Sequence, residues 1–519
     1  MRKQHLLFWG LFFSSIIGLV LPFVFGRLGW VGFISLVPLF LFLEFCEARF
    51  RKRQQILFCF LIGIASMAGI LFWSVQTMPE RWAYIHGWAA TAGLWINYGL
   101  FAGLFALQFL LFGLLYVKQQ PILFKKRAFL ILPATWVICE FARSFIFSLF
   151  AYGRNGSIGA NWNFGNLGLA AGTTYVGYAG RIVGMYGLSF IAVATSLAIV
   201  WLFRRKNVRI MLILLWLTIA LSLAGNLLYR PSGDAKRLAF IQTPPNFGDP
   251  SIRNHLLDKA RAQNDQRNVD VLVLPEYGNI FEDQNDTSVR RDGQSLIKPE
   301  KGYIVTSALV STPQLLTNQL RVYNSNLDVV SSYNKYFLIP VGEYMPYIHQ
   351  GILKIMGQQQ AIKLNQEHRG TQRGTEPIPV IHMPGISLGS QICSGAIAPT
   401  LYQKQARAGA QVLTNSASLS MFSQAPGYQV QSYQLSRFMA VANARPFVQA
   451  AEGGHGYILD TTGAQTSGDN KFDYFFGVAD VPLVKHRTVY TILGEWVLWL
   501  SILVVCLSLI LGRVRPKKF

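Results

Sequence analysis

Five cysteines occur in the 519 residues. Cys46, Cys59, Cys139 and Cys506 lie in long apolar runs, whereas Cys393 is the single cysteine between Arg230 and Val489. Its surroundings, Leu388-Gly-Ser-Gln-Ile-Cys393-Ser-Gly395, read as a buried strand that breaks into a tight turn. A thiol at such a junction projects from the end of a sheet into a cleft, where a nucleophile is useful. The pattern fits a buried core cysteine as well, because free cysteine is among the most buried residue types. Three ionisable residues accompany other strand ends. Glu276 follows Pro275 after the apolar run 269–274, and a carboxylate in a partly dry cleft there has its pKa raised toward that of a general base. Lys335 sits in the aromatic, apolar run 333–340, where an ammonium holds a developing oxyanion or lowers a thiol pKa. Glu343 follows in Val341-Gly-Glu343-Tyr-Met-Pro346. Each of the three also fits a surface or paired charge, and their distance from Cys393 along the chain leaves convergence open.

Groups of this kind need rigid elements to hold them, and the composition says what those are. Hydrophobic residues make up 51% of the chain and charged ones 14%, with a mean hydropathy of +0.31. That excludes an ordinary soluble enzyme and points to a multispanning membrane protein with room for one soluble domain. The net charge is +22, but the basic residues cluster beside apolar runs, which is the membrane signature. No Arg/Lys stripe with interleaved aromatics suggests nucleic acid. The eight histidines lack metal-ligand spacing, and no Cys-x-x-Cys pair exists. Gly453-Gly-His-Gly456 lacks the Lys-Ser/Thr of a phosphate loop and reads as a bulged strand or turn. Neither a metal nor a nucleotide cofactor is expected.

Apolar runs cover about 6–25, 30–45, 56–75, 88–117, 129–150, 182–203, 210–228 and 489–511. The first reads as a retained helix and not a cleaved signal peptide. Basic clusters stand at Arg2 and Lys3, at 49–53, at 118–127, at 204–209 and at 513–518. Basic residues favour the cytoplasmic side. About eight transmembrane helices with both termini cytoplasmic satisfy every loop. The expected organisation is a membrane domain of seven helices over 1–228, an extracytoplasmic domain over 229–487, and a last helix with a basic cytoplasmic tail over 488–519. An extracytoplasmic Cys393 has no disulfide partner within its domain, which favours a free reactive thiol. In 229–487, strands are expected at 238–241, 269–274, 303–310, 321–328, 331–339, 386–392 and 412–415. A hairpin pair is expected over 447–450 and 456–460, and helices over 251–264, 401–408 and 429–442. This alternation is an α/β pattern with sheets covered by helices.

Leu274-Pro-Glu276, Tyr333-Asn-Lys335, Pro340-Val-Gly-Glu343 and Ile392-Cys393 resemble the Glu–Lys–Cys signature of the nitrilase, or carbon-nitrogen hydrolase, superfamily. Leu21-Pro-Phe with Leu36-Val-Pro38, Pro133-Ala-Thr-Trp136 with Glu140-Phe-Ala-Arg143, Gly184-Met-Tyr-Gly-Leu-Ser189 and Ala444-Arg-Pro446 narrow the resemblance to the bacterial apolipoprotein N-acyltransferase family. The resemblance covers essentially the whole chain. It implies a multispanning α-helical bundle carrying an α/β, αββα nitrilase-type sandwich on the outer face of the inner membrane. It also implies that Cys393 takes an acyl chain from a phospholipid as a thioester, that Glu276 is the base, and that Lys335 supports the oxyanion. Glu343, Ser394 and Gly395 are the supporting positions. The implied acceptor is the α-amine of a diacylglyceryl-cysteine at a lipoprotein's N-terminus. Residues 352–356 read as a lipid-facing arm or as an ordinary surface helix. The chain departs from the family in three places. Ser394 and Gly395 replace an aromatic and an acidic residue after the nucleophile. Gln242-Thr-Pro-Pro-Asn246 replaces a Gln-Gly-Asn loop with its tryptophan, and Thr414-Asn415-Ser416-Ala417 replaces Thr-Asn-Asp plus an aromatic. Alternatives are a membrane-tethered amidase, an acyltransferase with another acceptor, or a non-catalytic lipoprotein-binding paralogue. Oligomeric state is not legible.

Overall fold

The fold is taken from a computed structural model that describes residues 2–77, 84–206, 208–231, 233–245, 269–278, 294–312, 315–376, 378–469, 473–484 and 486–513. The helix expected over 251–264 lies outside them, as do Asn246 and Arg515, Lys517 and Lys518.

The long apolar runs fold into α1 (Arg2–Val24), α2 (Val37–Glu47), α3 (Lys52–Leu71), α4 (Trp88–Gln119), α5 (Ala128–Phe150), α6 (Gly180–Arg205) and α7 (Val208–Leu228). Among the described residues, six helices are long and apolar enough to cross a membrane, or seven with a bent pair. That pair corrects the expected second run. Residues Gly26–Phe33 form a 3-10 helix set at 40° to α2. Pro38 in the first turn of α2 cannot extend a helix upstream, so the chain bends there. The expected eighth span is the shorter apolar stretch Trp496–Leu511. The count of eight is reached only when the bent pair and this stretch are both included. Helix α4 has 32 residues, about 48 Å at 1.5 Å per residue, against about 30 Å of hydrocarbon. Such a length spans the hydrocarbon with residues to spare.

Helix α6 is broken near its start. Gly184 has φ 70° and ψ −170°, a conformation open to glycine and closed to most other residues. The break frees the amides of Met185 and Tyr186, and both donate to the Glu495 carboxylate, at 3.2 and 3.1 Å.

The polar region forms one continuous sheet folded on itself. Its strands are β1 (Ala235–Thr243), β2 (Val271–Val273), β3 (Tyr303–Thr312), β4 (Leu315–Tyr323), β5 (Val329–Asn334), β6 (Ile381–Met383), β7 (Ile386–Ile392), β8 (Val412–Ser418), β9 (Phe447–Glu452), β10 (Tyr457–Leu459), β11 (Gln465–Gly468) and β12 (Phe475–Pro482). The order is β5-β4-β3-β2-β1-β9-β8-β7-β6, with β12 antiparallel to β1 and β10 antiparallel to β9. Strands β1 and β9 pair only at Gln242↔Ala451 and Thr243↔Glu452, so the two halves splay at that seam. Their inner faces meet in one core: Phe240, Val273, Val305 and Leu320 from one half, Leu388, Ile392, Val412 and Val448 from the other. This is the sandwich interior. The expected strand 321–328 is corrected. Asn324 Oδ1 accepts from the amides of Asn326 and Asp328, both at 2.9 Å, and makes an Asx turn there. The strand 331–339 ends at Asn334, which leaves Lys335 just past β5. Strand β12 was not anticipated.

Helices α8 (Tyr347–Ile355), α9 (Gln359–Arg369), α10 (Pro399–Ala408) and α11 (Pro426–Asn443) complete the sandwich, and α12 (Trp496–Arg513) returns to the bundle. Helix α11 lies on the membrane half: Gln431 Nε2 donates to Ile70 O at 2.9 Å and Gln434 Nε2 to Pro22 O at 2.8 Å. Arg181, buried at the start of α6, donates to Val441 O, Gly225 O, Tyr229 O and Thr461 O. One guanidinium thus joins α6, α7 and the sandwich. Helix α8 is tied to α4 by His349 Nε2 and Asn97 Oδ1 at 2.9 Å. Its Tyr347, Ile348 and Ile355 are exposed.

Candidate active site

Three of the four site residues stand just past the end of a strand. Glu276 follows β2 through Leu274 and Pro275, and its amide donates to Ala417 O at 3.3 Å. Lys335 follows β5; its amide donates to Asn318 O at 2.7 Å and its carbonyl accepts from Gly374 N at 2.8 Å. Cys393 follows β7 with φ 46°. Left-handed backbone at a non-glycine residue is strained, and such strain collects at functional corners. Glu343 is set by its own loop: Ile339 N donates to its Oε2 at 2.9 Å.

The side chains of Glu276, Lys335 and Glu343 meet. Lys335 Nζ lies 3.1 Å from Glu276 Oε1 and 3.0 Å from Glu343 Oε1. Lys335 and Glu276 are each 3% exposed, so the charges are kept by one another and not by water. Glu276 Oε1 also accepts from Asn318 Nδ2 at 2.7 Å, and its Oε2 accepts from Ser418 N at 3.0 Å. The Cys393 thiol donates to Ser418 O at 3.5 Å, beside that carboxylate.

Burial and then the Glu276 charge push the Cys393 thiol well above its ordinary pKa, against the opposing pull of Lys335. The resting thiol is therefore protonated, with a carboxylate next to it. Burial alone would lower the Lys335 ammonium, but Glu276 and Glu343 outweigh it and hold it well above the usual lysine value. Burial raises the Glu343 carboxyl, with Lys335 opposing. A fixed cation, an oriented carboxylate and a neutral thiol are the parts of nucleophilic catalysis with a general base.

The two positions after Cys393 have local reasons. Ser394 Oγ donates to Phe337 O, fastening the turn to the segment that follows Lys335. A Cβ on Gly395 would stand 2.6 Å from Gln391 Cβ, so no larger residue fits without a shift.

Two cavities meet at Cys393. One, of about 490 Å³, holds the charged groups and is lined by Glu276, Lys335, Glu343, Tyr84 and Arg369. The other, of about 170 Å³, runs among membrane-half aromatics, including Trp73, Phe101, Phe147 and Phe164, with Phe422 and Tyr428 above. Asn318, the Ser418 amide and this apolar cavity were missed in the sequence. Asn318 is fully buried in mid-strand, but it lies outside the strand expected from 321 onward, so no sequence signal marked it.

Residues 17–198 match the family model for the apolipoprotein N-acyltransferase N-terminal domain, and residues 237–475 match that for carbon-nitrogen hydrolase. The chain thus carries an apolipoprotein N-acyltransferase N-terminal domain followed by a carbon-nitrogen hydrolase domain. Relatives named apolipoprotein N-acyltransferase run nearly end to end with it. The one from Nostoc sp. is 25% identical, covering 94% of this chain and 95% of its own. The one from Geobacter metallireducens is 25% identical over 91% of this chain and 88% of its own. That from Shewanella oneidensis is 22% identical over 76% and 74%. Among solved structures, an amidase from Nesterenkonia sp. is similar at 19% identity, covering 48% of this chain and 92% of its own with a TM-score of 0.36. With six to seven apolar helices among the described residues and bacterial relatives named apolipoprotein N-acyltransferase, the chain is a bacterial membrane protein.

Proposed function

We propose that this protein moves a fatty acyl chain from a membrane phospholipid to the N-terminal α-amine of a diacylglyceryl-cysteine in a lipoprotein. The observation that carries the reading is the position of Cys393 between an apolar cavity among membrane-half aromatics and a second cavity holding the charged Glu276 and Lys335. The apolar cavity suits an acyl chain, and the charged one suits a headgroup first and an amine second.

In the first half-reaction the Cys393 sulfur attacks the ester carbonyl while its proton passes to Glu276. Lys335 Nζ stabilises the tetrahedral oxyanion. Collapse breaks the ester C–O bond, Glu276 returns the proton to the leaving alkoxide, and lysophospholipid departs from a thioester. In the second, the acceptor amine attacks the thioester and gives its proton to Glu276. The C–S bond breaks and the thiolate recovers that proton. Asn318 and the Ser418 amide hold Glu276 in place, and Glu343 fixes the ammonium. The basic clusters support cytoplasmic termini and a periplasmic sandwich in the bacterial inner membrane.

The test is a mass measurement on the purified protein incubated with phospholipid. An acyl-sized adduct on Cys393 that a diacylated lipopeptide discharges, becoming N-acylated, is expected. An adduct discharged by water alone would make the protein a hydrolase of the amidase type. No adduct would leave a binding role.

A further inference from the structure

A cavity of about 600 Å³ lies between the membrane bundle and the sandwich, and Glu276, Lys335 and Cys393 are not on its wall. Arg27 and Trp30 approach it from the 3-10 segment after α1, and Tyr433 and Arg437 from α11. Among the described residues, neither guanidinium donates a hydrogen bond or joins an ion pair, and Arg437 Nε is buried without a partner. Asp469 is the acidic residue on the described wall, so two arginines face one aspartate. His455, also on the wall, is held below its ordinary pKa by burial and adds no charge at neutral pH. Exposed Phe25, Trp30 and Tyr175 stand beside the cavity, as aromatic residues do at a membrane–water interface.

The buried Arg437 Nε is costly to keep without a partner. A guanidinium's planar fork matches a phosphate with two parallel hydrogen bonds. We propose that this cavity is a second phospholipid site, taking the lipid's phosphate between Arg27 and Arg437 while its chains lie along the exposed apolar side of α1. Phe13 and Ile17 belong to that side.

The experiment uses the full chain, delipidated in detergent. Phosphatidylglycerol binding is read by native mass spectrometry and inorganic phosphate binding by calorimetry. R27Q, R437Q, R437K and the double glutamine variant are compared, with thermal melting of each. Arg27 is exposed, so R27Q and R27E test the site even where R437Q folds poorly. One lipid adduct is expected to weaken about tenfold per lost guanidinium. R437K should recover part of the loss, and the lipid should bind more tightly than phosphate alone. Acylation of Cys393 should stay at the parental level. Unchanged lipid retention in the double variant overturns the proposal. So does a parallel loss of Cys393 acylation, which would put the arginines on the donor path, and so does phosphate binding as tight as the lipid's. The binding arm stands whether or not the acyl-transfer reading does.

Discussion

At Cys393 the carboxylate proposed as base adds to burial in keeping the thiol protonated at rest, and this gives two opposite expectations for one substitution. Glu276→Gln removes a negative charge beside a thiol whose pKa that charge raises. The thiolate fraction at a given pH therefore increases, and alkylation by iodoacetamide across a pH series should shift to lower pH. Acyl transfer should fall, because the proton acceptor is gone. If both rates fall together, Glu276 is not setting the thiol's ionisation. Lys335→Met has a different signature. It leaves two carboxylates buried without their cation, and breaking such a group costs about 3–5 kcal/mol. A lower melting temperature is expected alongside a loss of about 10²–10³ in acylation rate. Strand-end dipeptides such as Pro275-Glu276 marked these residues as candidates, and the family resemblance alone grouped them with Cys393. Asn318, whose amide fixes Glu276, was not marked, since nothing near it in sequence says which strand lies opposite.

Elements decide what the site accepts. The turn after β7 is fastened by Ser394 to Phe337 O and closed by Gly395 against Gln391. Gly395→Glu, which would restore the family's acidic position, should cost about 1–3 kcal/mol by overpacking, read as a drop in melting temperature. If it melts like the parent, the turn is looser than its contacts imply. The apolar cavity should set acyl length. Leu104 lines it, and Leu104→Trp should shift the Cys393 adduct toward shorter chains when a mixture of donors is offered, as read by adduct mass. The helices of the bundle were legible from run length and basic flanks. The bend before α2 was harder to see, because apolar composition continues through the 3-10 segment. The strand after β3 was misplaced because Asn324 turns the chain where the pattern still reads as extended.

Across the whole molecule, the basic clusters predict an orientation that labelling can test. A cysteine placed at the exposed Gln465, in a chain with Cys393 replaced by alanine, should be labelled by an impermeant maleimide in spheroplasts, and one placed at Arg205 should not. The reverse pattern would invert the topology. The α/β character was legible as alternating strand and helix patterns and the αββα sandwich was implied by the family resemblance, but the seam at Gln242 and Thr243 was not legible, because two paired residues leave no compositional trace. The tie between the halves was equally hidden: a lone arginine at the head of α6 does not name its carbonyl partners. That arginine also sets a timetable. Arg181 leaves the ribosome long before two of its acceptors, Val441 and Thr461, which follow it by 260 and 280 residues. At bacterial elongation speeds the wait is roughly ten seconds to a minute. During that interval the newly inserted bundle holds a cation with half its acceptors still unmade, so maturation of the membrane half is completed only by the arrival of the sandwich.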